Sequence, residues 1–230
     1  MEKLVLHAHS CWSHDSEIHL KEWADFIKNN GINKLYLTEH EESGWSKEKY
    51  NLYKIDCAKY STDENMIVPG LELNINGYHF LAPNLKNYDS RPKDEDLIEL
   101  KEWIHERKSF LIAAHPDKYE SFDKKIYSIC QGIEIINTKH QYNWFFGGPT
   151  KRCESLMREF GLKPFVGQDI HRLNQFSHKG IMIQNTSLLN SKMKNKLKES
   201  SISRDTLISL KNSTLKFYSK IKKHVQSFIS

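Results

Sequence analysis

Leu4-Val5-Leu6-His7-Ala8-His9 is the stretch on which the fold turns. Three apolar residues that favour extended backbone lead into two imidazoles spaced i and i+2. On a strand that spacing puts both side chains on one face. Two imidazoles on one face, where a strand meets its loop, make half of a metal site. The chain carries 12 histidines, so a chance pair is common and gains weight only if other strands end the same way.

Other apolar runs do. Leu35-Tyr36-Leu37-Thr38-Glu39-His40 and Phe110-Leu111-Ile112-Ala113-Ala114-His115-Pro116 each deliver a histidine. Pro164-Phe165-Val166-Gly167-Gln168-Asp169-Ile170-His171 delivers an aspartate and a histidine. Met66-Ile67-Val68-Pro69-Gly70-Leu71-Glu72 delivers a glutamate, and Tyr78-His79-Phe80 places a histidine within an apolar strand. One such ending is more often a satisfied core histidine; a series of them is not. The spacing predicts strands at 4–6, 34–38, 66–71, 78–82, 110–114, 132–136, 164–167 and 180–183. It predicts helices at 20–29, 46–59, 94–107, 151–160 and about 204–228. Strands separated by helices imply parallel pairing and an α/β fold, of which a barrel is one closed version. In a closed barrel the C-terminal strand ends converge on one rim, where active sites sit. Oxygen and imidazole ligands without thiolate suit zinc, manganese or iron.

Composition fits a single core. The chain has 230 residues, 38% of them hydrophobic, a length at which single α/β barrels are common. No stretch approaches the roughly 18 to 20 apolar residues of a membrane helix. The N-terminal Met1-Glu2-Lys3-Leu4-Val5-Leu6 lacks the apolar region of a signal peptide, so a cytoplasmic location is the default expectation. Cys11, Cys57, Cys130 and Cys153 form no close pair, which argues against a disulfide framework or a thiolate zinc knuckle.

The ordered set of motifs resembles the PHP-domain superfamily, the polymerase and histidinol phosphatase family. The matching text is His7-Ala8-His9-Ser10, Ser13-His14-Asp15-Ser16, Thr38-Glu39-His40, Pro69-Gly70-Leu71-Glu72, Tyr78-His79-Phe80, Ala114-His115-Pro116, Gly132-Ile133-Glu134 and Gly167-Gln168-Asp169-Ile170-His171. It runs from residue 1 to about 184. Each motif is loose alone; the order and spacing together are specific. The resemblance implies a distorted (β/α)7 barrel, to which the sequence pattern adds a basic C-terminal helix, holding two or three divalent metals (Zn, Mn or Fe) and hydrolysing phosphate esters. It implies one metal on His7, His9, Glu72 and Asp169, and a second bridged by Glu72 and held by His79 and His115. A third takes Asp15, His40 and His171, with His14 the rival of Asp15. Glu72, Asp169 and His115 stand at the centre of the implied catalysis. The family's Ser-Asp-Ala-His reads Gln168-Asp169-Ile170-His171 here, a change that keeps both ligands. Lys118, Lys139, Arg172 and His178 are the candidate phosphate or leaving-group contacts.

Charge is uneven. Residues 186–230 hold 10 Lys+Arg against 2 Asp+Glu, whereas residues 1–185 hold 24 against 27. The domain reading is therefore a barrel at 1–185 and a basic segment at 186–230. Residues 185–203 read as a linker or frayed helix. An apolar stripe follows at Leu207, Leu210, Tyr218, Ile221, Val225 and Phe228, crowded by Lys211, Lys216, Lys220, Lys222 and Lys223. Such a helix packs on the barrel, docks a partner, or follows a phosphate backbone. Tyr142, Trp144, Phe145 and Phe146 before Gly147-Gly148-Pro149 read first as a hydrophobic plug and second as a stacking surface. Three functions compete: hydrolysis of a small phosphate monoester or nucleotide, nuclease or end-processing work on nucleic acid, and a non-catalytic barrel that binds a phosphorylated ligand or protein. The complete ligand set disfavours the last.

Overall fold

A computed structural model of the chain describes residues 2–119, 123–139 and 150–184. The described strands are β1 (Glu2–Ala8), β2 (Lys34–His40), β3 (Met66–Ile75), β4 (Tyr78–Pro83), β5 (Ile112–Ala113), β6 (Gly132–Asn137), β7 (Lys163–Gly167) and β8 (Met182–Gln184). The described α-helices are α1 (Leu20–Asn29), α2 (Lys47–Lys59), α3 (Leu97–Glu106) and α4 (Lys151–Phe160). All of these lie in one compact unit; residues 140–149 and 185–230 fall outside the described residues. The expected C-terminal helix, its lysines, the linker and the aromatic loop at 142–149 therefore also lie outside them.

The sheet runs β7-β6-β5-β4-β3-β2-β1-β8. It closes through the backbone that follows β7. Gln168 N donates to Leu6 O (3.1 Å), Ile170 N to His7 O (3.3 Å), and His9 N to Ile170 O (2.9 Å). The first half of β1 pairs instead with antiparallel β8. One edge of β1 is thus shared between two partners, and the result is a nearly closed barrel of the kind expected. Leu6, Tyr36, Leu81, Ile112, Phe165 and Met182, from six different strands, meet in one apolar cluster. Only the barrel interior lets six strands contribute to one cluster.

Besides β8, parallel pairing is broken at β4. β4 is antiparallel to both β3 and β5. The cause is local: Asn76 and Gly77 sit between β3 and β4 with φ of 53° and 81°. Both central residues at positive φ make the tight turn that reverses a strand into a hairpin. β3 also runs four residues beyond its expected end, and α3 starts three residues later than expected. Asp96 accepts from Glu99 N at 2.9 Å and so caps the helix. Asp94 is occupied with Arg91 and with Asn76 N. The helices pack by spaced apolar residues: α1 buries Leu20, Trp23 and Ile27, and α4 buries Cys153 and Leu156. A fully buried large apolar side chain contributes about 1.5–3 kcal/mol.

Candidate metal centre

The deepest donor set comes from β1 and the residue that follows it, from β3, and from the loop after β7. His7 Nε2 lies 3.3 Å from Glu72 Oε2 and 3.5 Å from Asp169 Oδ1. His9 Nε2 lies 3.4 Å and 3.3 Å from the same two oxygens. Donors of a tetrahedral site with bonds of about 2.1 Å stand about 3.4 Å apart. His7, His9, Glu72 and Asp169 are almost wholly buried. His7 Nε2, His9 Nε2 and Glu72 Oε2 have no hydrogen-bond partner. Lone pairs facing one another in a dry site are costly unless a cation lies between them. The donor set fits a divalent cation.

Glu72 faces a second set with its other oxygen. Oε1 lies 2.8 Å from His79 Nδ1 and 3.0 Å from His115 Nε2. A third set lies towards solvent. Asp15 Oδ2 is 2.8 Å from His171 Nε2 and 3.3 Å from His40 Nε2, and those two nitrogens are 3.3 Å apart. His14 lies at the edge of this set, with Nδ1 3.3 Å from Ser43 Oγ. Asp15 is therefore the residue gathered with His40 and His171. His40 Nδ1 also lies 3.1 Å from Glu72 Oε2, so the three sets are contiguous.

The strands do not all deliver these residues by ending. Glu72 lies inside β3, and His79 lies near the start of β4. His79 reaches the rim because β4 runs backwards. Nor does plain alternation aim His7. The β1–β2 register slips between Leu6 and Ala8, and His7 has φ of 66°. A bulge of this kind redirects a side chain. His115 (φ 29°) and Asp169 (φ 53°) also sit at positive φ. Among the described residues, three of the six non-glycine residues with positive φ are thus candidate ligands, and such strain clusters at functional sites.

Buried carboxylates back the histidines. Glu134 Oε1 lies 2.7 Å from His7 Nδ1, while Oε2 accepts from His115 N (2.7 Å) and Asn137 Nδ2 (2.9 Å). The first contact makes Nδ1 the donor and leaves Nε2 as the lone pair. Gly167 makes room for Glu134: a β-carbon there would lie 1.7 Å from Glu134 Oε1. Glu39, also buried, binds the loop after β1 through Ser10 and Ser13. Trp23 Nε1 holds His9 O at 2.9 Å, and Trp45 Nε1 holds His40 O at 2.8 Å. The motif reading assigned no role to Glu39 or Glu134. The available signal was a charged residue inside an apolar strand, since a carboxylate is almost never fully buried unless paired.

Electrostatics follow from this packing. Burial opposes ionisation of Glu72, but His7, His115 and His40 outweigh it and hold the carboxyl well below the usual range. Burial pushes His9 down to about 3 and lowers His115, so both imidazoles are neutral. Burial also acts to lower His7, but Glu134, Glu72 and Asp169 overcome it and raise it well above the ordinary value. A cation among those carboxylates would take the place of that proton.

The cavity above the donors measures about 310 Å³. His14, Glu42, Lys118 and Lys139 line it together with Asp15, His40, His79, His115, Asp169 and His171. Lys139 Nζ lies 3.3 Å from Asp169 Oδ2 and 3.1 Å from His171 Nδ1. Lys118 and Lys139 are thus at the cavity, whereas Arg172 and His178 are exposed and do not line it. Gln168 is buried away from it, accepting from Ser177 N at 2.8 Å.

Among solved structures the chain is similar to a two-domain protein from Bacteroides vulgatus that contains a predicted PHP-like metal-dependent phosphoesterase. Identity is 17%, the match covers 76% of this chain and 53% of that one, and the TM-score is 0.55. A protein from Bifidobacterium adolescentis assigned as a metal-dependent phosphoesterase matches at 9% identity, over 74% and 87% of the two chains, with a TM-score of 0.52. The fold is that of the PHP-like phosphoesterases. An amidohydrolase from Chromobacterium violaceum, with bound sulfate and no metal, shares it at 13% identity, over 79% and 92%, with a TM-score of 0.54. This chain spans about half the length of the Bacteroides protein. No family model and no curated protein matches the sequence. Among the described residues no helix is long and apolar enough to cross a membrane.

Proposed function

We propose that this chain is a metal-dependent phosphoesterase acting on phosphate monoesters of a small metabolite or nucleotide. The observation that carries the reading is Glu72, whose two carboxylate oxygens face separate imidazole pairs: His7 with His9, and His79 with His115. Bound there, divalent cations supply Lewis acidity and make a nucleophile from water near neutral pH. His7, His9, Glu72 and Asp169 would hold one ion; His79 and His115 would share Glu72 with a second; Asp15, His40 and His171 would hold a third. Lys118 and Lys139 then offer fixed positive charge to the phosphoryl oxygens as their charge grows. Two lysines on the wall favour a phosphate ester over an amide. A cavity of about 310 Å³ favours a small leaving group.

The test is a panel of phosphate monoesters and labelled oligonucleotides, assayed with Mn²⁺ or Zn²⁺. Hydrolysis of a small monoester is expected, and Glu72→Ala should abolish it. A metal-loaded chain that cleaves no phosphate ester contradicts the reading. The basic segment at 186–230 supports a second reading, in which the substrate is nucleic acid. On that reading binding falls by about 0.7–0.9 log units per neutralised phosphate for each tenfold rise in salt. Reversing Lys216, Lys220, Lys222 and Lys223 would then remove it, and binding unchanged by reversal and by salt rejects it.

A further inference from the structure

His79 stands near the start of β4, and His115 follows the two-residue β5. These strands share two paired positions, Phe80 with Ala113 and Leu81 with Ile112. A strand residue points its N–H and C=O to one edge, and a hydrogen-bonded antiparallel pair exchanges both bonds. His79 O accepts from Ala114 N at 3.0 Å. The reciprocal bond does not return to β5. The chain turns away there, with His115 at φ 29° and its N–H given to Glu134. His79 N donates instead to Tyr119 Oη at 2.9 Å. A short 3₁₀ turn, Pro116–Lys118, brings Tyr119 back to this place. Its ring packs edge-on against Tyr78, with centroids 5.0 Å apart, and lies 5.9 Å from the His115 ring. Helix α4 fastens the same turn from its other side. Thr150, which caps α4, donates through Oγ1 to Asp117 Oδ1 at 2.8 Å, and Arg152 donates to the carbonyls of Pro116 and Tyr119.

We infer that Tyr119 is a positioning residue for the second metal site, its hydroxyl standing in for the ladder bond that β5 does not supply. The hydroxyl ties the His79 peptide to the loop that carries His115. The two imidazoles then keep their places about Glu72 Oε1, which lies 2.8 Å from His79 Nδ1 and 3.0 Å from His115 Nε2. His7 and His9 need no such tether, because the segment after β7 bonds directly to His7 O and His9 N. Tyr119 does not line the cavity, so it acts through His79 and not on substrate. Arg152 and Thr150 hold the turn from which the phenol reaches β4. This inference rests on the proposed metal centre, because the spacing of His79 and His115 matters only if an ion uses it. Its first readout needs no metal.

The experiment compares the full-length protein with Tyr119→Phe, which keeps the ring and removes only the hydroxyl. Amide hydrogen exchange in the metal-free chains reports the His79 N–H. It should exchange about fivefold faster in Tyr119→Phe, the usual net worth of one hydrogen bond, while the amides of β1 and β2 keep their rates. Titration with Co²⁺ or Mn²⁺ follows. Loss of an outer partner of a metal ligand typically costs about 10–100-fold in affinity, and Tyr119→Phe should lose this much for one ion while the others bind as in the wild type. A hydroxyl that served only the stability of the fold would lower the melting temperature and single out no ion. A folded Tyr119→Phe chain with His79 exchanging at the wild-type rate, or with unaltered affinity for every ion, overturns the tether. A wild type that takes up no metal overturns the functional reading and this role with it, and the exchange rates still decide whether the bond exists.

Discussion

The deep donor set and the outer one are built differently. His7, His9, Glu72 and Asp169 are between 0% and 2% exposed. Two of them sit at positive φ, and Glu134 backs His7 from behind. Asp15 in the outer set has a side chain 37% exposed and comes from an irregular loop. His40 and His171 are buried, with His40 Nδ1 3.1 Å from Glu72 Oε2 and His171 Nδ1 3.1 Å from the Asp169 carbonyl. The contrast teaches that the barrel preorganises the inner pair of sites. The outer site depends on a loop that must keep its own shape. The inner ions should therefore bind more tightly and exchange more slowly.

The largest expected effect comes from removing what the inner sites share. Glu72→Ala should abolish hydrolysis and reduce the bound metal by at least two equivalents, read by elemental analysis. Retained folding, read by circular dichroism, is the control. Next in size is Gly167→Ala, whose β-carbon collides with Glu134. It should misalign His7 and weaken the deepest ion 10–100-fold or more, the usual cost of losing such support. If Gly167→Ala binds metal like the wild type, the backing carboxylate matters less than the comparison holds.

Smaller effects belong to the outer set. Asp15→Asn should weaken one ion and lower activity, leaving the inner ions in place, whereas His14→Asn should change metal content little. A reversed order would contradict the placement of Asp15 with His40 and His171. The smallest effect is on pH dependence in the metal-free chain. Burial holds His9 at about 3 when folded, while an unfolded histidine titrates near 6.5. The unfolded chain thus binds the extra proton across this window, and stability contributed by neutral His9 falls as pH drops from about 6.5 towards 3. Denaturant melts of the wild type and His9→Gln should diverge in that direction. Parallel pH profiles would deny the burial argument.

Helices α1 and α4 were legible to the residue because each apolar stripe is bounded by a clear stop: Asn30-Gly31 after α1, and Thr150 before and Gly161 after α4. The reversal at β4 was not, since attention to helices between strands overlooked Asn76-Gly77, a strong hairpin signal. Ligand-type residues could be read because histidine, aspartate and glutamate at the ends of apolar runs are rare in pairs and rarer in series. Their aim could not. The bulge at His7 and the left-handed backbone at Asp169 lie where β1 meets the segment after β7, and His115 is left-handed just beyond β5. Glu39 and Glu134 stood out as acids inside apolar strands, but their partners, the Ser10–Ser13 loop and His7, are set only by the barrel.

The central claim is that one carboxylate joins two metal sites, and equilibrium metal content tests it most directly. The purified chain, dialysed against Mn²⁺ or Zn²⁺, should retain at least two equivalents. Glu72→Gln, nearly equal in size but uncharged, should fold like the wild type and retain at least two fewer. A wild type that stays metal-free, or a folded Glu72→Gln that holds as much metal as the wild type, would contradict the account.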